Sequence, residues 1–237
     1  MNKIIALWSH PRAVSTAFLR MIMQRGDFHV IHEPFSYLQM QKAFLVEGTR
    51  IETHSQLVDH ILKRAEAQSI FFKDTTDYHH GALLEDSGFL GRLVNTFIIR
   101  DPHKAISSHY AINPRVTLAE IGYEHQFEIF SRVREITGRT PVVIDADDLI
   151  RDPVGMAMAY CERVQIPFIA EALSWESGAR KEWAPTSAWH LDVSNSTRIE
   201  KVEKHYEVTV DNHEELARYY RHHLPFYQQM HAPRLTT

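Results

Sequence analysis

With a single cysteine, Cys161, among its 237 residues, the chain can form no internal disulfide. Cys161 lies in the periodic stretch VGMAMAYCERVQI, where a free thiol is expected to be buried and inert. No apolar run approaches the ~20 residues of a membrane span, and the opening MNKIIALW is too short for a signal peptide, so the expectation is a cytoplasmic protein without a membrane partner. Basic blocks are missing as well. Lys and Arg total 26 against 30 Asp and Glu, for a net charge of -4, which argues against a nucleic-acid surface while leaving room for a local anion pocket. There is no HExxH and no Cys-His spacing, so no metal site is expected despite 16 histidines. The adjacent pairs His79–His80 and His222–His223 cannot share a helix face and read as surface or pocket residues. Only nine glycines occur, none of them in the turn that follows the first apolar run.

What is present is alternation. KIIALW (3–8), FHVI (28–31), SIFFK (69–73), LVNTFIIR (93–100) and TPVVIDADDL (140–149) read as five buried strands. Helical spacing separates them at 14–25, 55–68 and 117–137, and again after the Asp-Pro starts at 101 and 152, with a closing helix over 212–230. The pattern predicts an α/β fold, a three-layer sandwich around a central parallel sheet of about five strands, in one domain spanning 1–237. The Trp- and Ser-rich stretch 170–200 has little periodicity and reads as a lid or cap.

Ligands of parallel sheets bind at the carboxyl ends of strands. SHPRAVST, HEPFS, KDTTDYHH and RDP all fall at such ends. Successive N–H groups at a helix start, with Arg12 and the hydroxyls of Ser15 and Thr16, suit a phosphate; Ser15 and Thr16 can equally serve as helix caps. The loop lacks the Gly-x-x-x-x-Gly-Lys-Ser/Thr of a Walker A motif, which disfavours ATP or GTP. Arg100 ends the fourth strand and Ser108 lies eight residues on, two turns into the next helix, a second grip for an anion.

At this point the chain resembles the sulfotransferases that use 3′-phosphoadenosine 5′-phosphosulfate (PAPS). Pro11-Arg12-Ala13-Val14-Ser15-Thr16 is similar to their Pro-Lys/Arg-Ser-Gly-Ser/Thr-Thr phosphosulfate loop, with Ala13-Val14 where Ser-Gly is usual. Arg100 and Ser108 match the arginine–serine element that holds the 3′-phosphate, and VVIDADDLIRDP resembles the family's EDL…DP segment. The resemblance spans roughly residues 4–155 and implies the P-loop-like sulfotransferase fold of soluble bacterial members.

It further implies transfer of a sulfuryl group from PAPS to a hydroxyl or amine of a small-molecule acceptor, without a required metal. Arg12, Ala13, Val14, Ser15 and Thr16 would bind the phosphosulfate, and Arg100 and Ser108 the 3′-phosphate. Glu33 would be the general base, its carboxyl raised by burial, with His32 the neighbouring alternative. The Lys-Thr-His arrangement of the phenol-specific branch is missing, since Lys73 is followed by Asp74 and Thr75. Lys73 would contact the transferring group. Trp183, Trp189 and His190 would stack on adenine or wall the acceptor site, and Asp74, Asp77 and His79 are acceptor-side candidates. A kinase or nucleotide hydrolase using ATP, and a non-catalytic nucleotide-binding module, are the alternatives.

Overall fold

The computed structural model describes residues 2–46 and 48–237. Five parallel strands form the main sheet: β1 (Ile4–Ser9), β2 (His29–His32), β5 (Ile70–Thr75), β6 (Val94–Ile99) and β7 (Val142–Asp145), in the order β2-β5-β1-β6-β7. A small antiparallel hairpin, β3 (Phe44–Val46) and β4 (Thr49–Ile51), stands apart from it. The helices are α1 (Ser15–Arg25), α2 (Pro34–Gln41), α3 (His54–Ala67), α4 (Gly81–Glu85), α5 (Ser87–Arg92), α6 (Pro102–Tyr110), α7 (Tyr123–Thr137), α8 (Ala146–Arg151), α9 (Pro153–Val164), α10 (Leu191–Asn195) and α11 (Glu214–His231).

Strand alternation divides the core into two layers. Ile4, Ala6 and Trp8 of β1 face one side, where α3, α5, α6, α7 and α11 pack. Ile5 and Leu7 face the other, against Phe18, Leu19 and Ile22 of α1 and Met156 and Tyr160 of α9. The expected three-layer α/β sandwich is what forms. Because β5 lies between β1 and β2 while β6 lies on the far side of β1, the chain changes direction at the end of β1. That switch point is where a parallel sheet leaves a crevice at its carboxyl edge.

Two element expectations change. The fifth strand ends at Asp145 rather than 149: its carboxylate accepts from the N–H groups of Asp147 and Asp148 and starts α8. The segment 117–137 is not one helix. Gly122 interrupts it at φ 88°, where a Cβ would come within 2.9 Å of the Thr76 carbonyl oxygen. Within the stretch 170–200, read as a lid or cap, tight helical turns form over Ala170–Leu173 and Lys181–Trp189, followed by α10. The histidine pairs split likewise: His80 and His223 are core residues bonded to the carbonyls of Thr75 and Leu118, while their neighbours His79 and His222 pair with carboxylates. Cys161 is buried, as expected, and burial raises its thiol. Among the described residues, no helix is long and apolar enough to cross a membrane.

Candidate active site

A cavity of about 1180 Å³ opens at the carboxyl edge of the sheet, lined by the loops after β1, β2, β5 and β6 and by the segment 186–206. All four strand-end groups singled out in the sequence thus meet in one place.

The first loop is built on backbone that glycine usually supplies. Arg12 and Val14 both lie in the left-handed region, at φ 68° and 64°. Alternating handedness of this kind turns successive N–H groups toward a common centre. Helix α1 starts without a side-chain cap, and the Ala17 and Phe18 N–H groups both go to the Val14 carbonyl. Ser15 and Thr16 open the helix at the cavity lining, where the N–H groups of a first turn suit an anion. Thr16 Oγ1 lies 3.1 Å from His190 Nδ1, and Ser15 Oγ lies 3.0 Å from Ser9 Oγ.

Arg12 takes an unexpected course. Its Nε donates to Ser108 Oγ at 3.0 Å, one terminal nitrogen to the Trp189 carbonyl at 2.9 Å, and the other lies 3.4 Å from Asp192. The side chain thus joins the Arg100–Ser108 region and the covering segment, rather than Lys73. Arg100 donates to the Arg12 carbonyl at 3.2 Å, yet its Nε is buried with no partner. A buried cationic N–H left open is costly unless something fills it. His10, unnoticed in the sequence, braces this arginine: its Nε2 accepts from the Arg100 N–H at 3.0 Å, and its ring stacks on Tyr123. Burial holds His10 neutral, its pKa lowered to about 3.

At the other end, Glu33 follows β2 in left-handed backbone, φ 48°. It occupies the cap position of α2 without capping it. That task falls to Asp74, whose buried carboxylate accepts from the N–H groups of Phe35 and Ser36 and from the Ser36 hydroxyl. Asp74 is therefore a structural anchor, not an acceptor-side group, and it frees Glu33 to receive Lys73 Nζ in a buried ion pair. Glu33 departs from the raised carboxyl expected of it. Burial pushes it up, but Lys73 and then His32 outweigh burial and lower it to about 2. His32 lies behind Glu33, away from the cavity lining, with Nε2 3.6 Å from Glu33 Oε1 and Nδ1 3.1 Å from the Tyr37 hydroxyl. Burial lowers it to about 4. His32, Glu33 and His190 place potential metal donors within 4.8 Å of one another, but Lys73 engages Glu33 and two threonine hydroxyls engage both His190 nitrogens.

Of the remaining candidates, Asp77, Trp189 and His190 line the cavity. Trp183 is buried behind it against His32 and His190. His79 lies outside it, exposed beside Glu128. Residues missed in the sequence are Lys104, Arg151, Arg198, Lys201 and Lys204, which line the same cavity. For Arg198, Lys201 and Lys204 the signal was the charge density of TRIEKVEKHYE, diluted by its own glutamates.

A family model described as "Sulfotransferase domain" matches residues 2–234. Among solved structures, the sulfotransferase domain from the curacin biosynthetic pathway superposes with TM-score 0.56 at 12% identity, over 98% of both chains. The sulfotransferase domain from the Synechococcus PCC 7002 olefin synthase gives 0.58 at 14% identity, over 93% of this chain and 94% of that one. Two Arabidopsis thaliana proteins, branched-chain-amino-acid aminotransferase-like proteins 2 and 1, are each 28% identical over 220 residues. The match covers 86% of this chain but only 37% and 38% of those relatives' lengths.

Proposed function

The chain belongs to the sulfotransferase domain family, and on that premise we propose that it transfers a sulfuryl group from PAPS to a hydroxyl or amine of a small-molecule acceptor. One observation carries the donor assignment: the open, buried Arg100 Nε shares a cavity with the uncapped start of α1 and with the Lys73–Glu33 pair. That provides two separate anion sites with a proton acceptor and a cation beyond them, as a bisphosphorylated donor requires.

In this reading the 12–16 loop and α1 hold the phosphosulfate, and Arg100 with Ser108 holds the 3′-phosphate, with Arg12 reaching across to the same serine. PAPS supplies the sulfuryl group and departs as 3′-phosphoadenosine 5′-phosphate (PAP), the electron pair of the broken S–O bond going to the phosphate oxygen. Glu33 takes the proton from the acceptor oxygen as that oxygen bonds to sulfur. Lys73 turns from Glu33 toward the oxygen that gains charge. Its departure is what makes Glu33 a base: with the strongest opposing influence gone, burial raises the carboxyl.

Calorimetric titration tests the donor assignment. PAP should bind, ATP with magnesium should bind far less, and Arg100→Ala should weaken PAP by at least about tenfold, the loss of one charge-assisted hydrogen bond. ATP binding without PAP binding would instead favour a kinase.

A further inference from the structure

The acceptor end of the cavity has a chemistry of its own. Asp77, just beyond β5, lines the cavity, and its Oδ1 is buried without a hydrogen-bond partner. Among the described residues it has no ion-pair partner, whereas Glu33 in the same cavity has Lys73, Asp147 has Lys104 and Asp192 has Lys204. Burial pushes the Asp77 carboxyl up to about 6 and Glu33 adds to the push, while the Thr75 hydroxyl, a backbone N–H and the charge of Lys73 oppose it. The buried Oδ1 is thus an acceptor left open at the cavity, which favours a donor that fills it. Tyr78, its neighbour in the chain, and Met40 both line the cavity and leave apolar surface exposed.

We propose that Asp77 is the recognition site for an ammonium group on the acceptor, so that the substrate is an amphipathic amino-bearing alcohol or phenol sulfated on oxygen. An ammonium on Asp77 would supply the missing partner. The apolar body of the acceptor would lie on Tyr78 and Met40, and its hydroxyl would reach Glu33 and Lys73. The amine is not the group sulfated, because an ammonium has no lone pair with which to attack sulfur. The proposal rests on the sulfotransferase reading for the identity of the reacting group, but amine recognition is measurable without turnover.

Matched probes test it: tyramine against 4-ethylphenol and 6-amino-1-hexanol against 1-hexanol, each titrated by calorimetry at pH 7.5 with and without saturating PAP. The expected result is that at least one amine binds at least about tenfold tighter than its amine-free partner, as a charge-assisted contact in a buried site gives. Asp77→Asn should abolish that preference, and Asp77→Glu should retain part of it. Circular dichroism melting of both variants separates lost recognition from lost fold. Equal binding within both pairs, or a preference that survives in a folded Asp77→Asn protein, overturns the proposal. Failure of PAP to bind would count against the donor assignment alone, since the amine comparison stands without it.

Discussion

Lys73 and Glu33 are nearly sealed from water, with side chains 2% and 10% exposed. Removing one partner leaves the other charged and buried, which costs about 3–5 kcal/mol, whereas removing both is far cheaper. Lys73→Met should therefore destabilise strongly in urea unfolding, and Lys73→Met with Glu33→Gln should recover most of the loss, a coupling that a double-mutant cycle reads directly. The pair also sets a pH dependence. Glu33 is lowered from 4.5 to about 2 in the folded protein, so its contribution is complete above the ordinary carboxylate range and lost as pH falls through that window. The urea midpoint of the parent protein should drop more between pH 5 and pH 2.5 than that of Glu33→Gln. Glu33→Gln should keep PAP affinity while losing about 10²–10⁴ in turnover, the range for a general base; lost PAP affinity would remove it from that role. At this scale, Glu33, Lys73, Arg100 and Ser108 could be read from the sequence because each sits at a strand end or one helix face away. Asp74 could not. Its partners are backbone groups nearly forty residues distant, and no local pattern distinguishes an acid that caps another element from one that faces a substrate.

Backbone conformation decides the behaviour of two elements. Val14 starts α1 in the left-handed region, where a residue with a Cβ pays about 1–2 kcal/mol. The freedom glycine gains in the unfolded chain offsets about 0.4–1 kcal/mol of any relief. Val14→Gly should therefore leave thermal stability equal or slightly higher and leave PAP binding intact; a marked loss of either would mean that the valine side chain itself holds the loop. Gly122 predicts the opposite sign. A Cβ there meets the Thr76 carbonyl oxygen while the backbone stays at φ 88°. Gly122→Ala should cost at least about 2 kcal/mol in urea unfolding, from left-handed strain plus the clash. It should also loosen the Thr76 hydroxyl's bond to the Gly122 carbonyl, which ties α7 to the segment after β5. The strands and long helices followed the sequence because their apolar periodicity is the same force that packs them. The exceptions were element ends that depend on a cap or a glycine: α8 beginning on Asp145, α7 beginning after Gly122, and α2 held by a remote carboxylate.

Over the whole molecule, a net charge of -4 conceals a cavity whose lining includes Arg12, Arg100, Lys104, Arg151, Lys201 and Lys204. Several of these cations are held by nearby carboxylates: Arg12 and Lys204 by Asp192, Lys104 by Asp147, and Lys201 by Glu203. The segment 181–206 was opaque in the sequence for the same reason. It has no apolar period because only single residues of it, Trp183, Val193 and Ile199, enter the core while its other side lines the cavity, and its charges cancel in any count along the chain. Internal carboxylates of this kind keep a cation-lined cavity stable without a ligand, and they compete with an incoming phosphate for the same donors. Asp192 is the clearest competitor, since it touches both Arg12 and Lys204 from the covering segment. Asp192→Asn removes the charge and keeps the shape. Partly exposed pairs are worth about 0.2–1 kcal/mol each, so freeing two cations should tighten PAP by roughly two- to thirtyfold. The effect should shrink as salt screens the site. Calorimetry of PAP at low and high salt on the parent and variant reads both. Weaker PAP binding by Asp192→Asn would show that the carboxylate closes the segment over the nucleotide instead of competing with it. Hydrogen exchange over 181–206 should then show the variant losing its PAP-dependent protection.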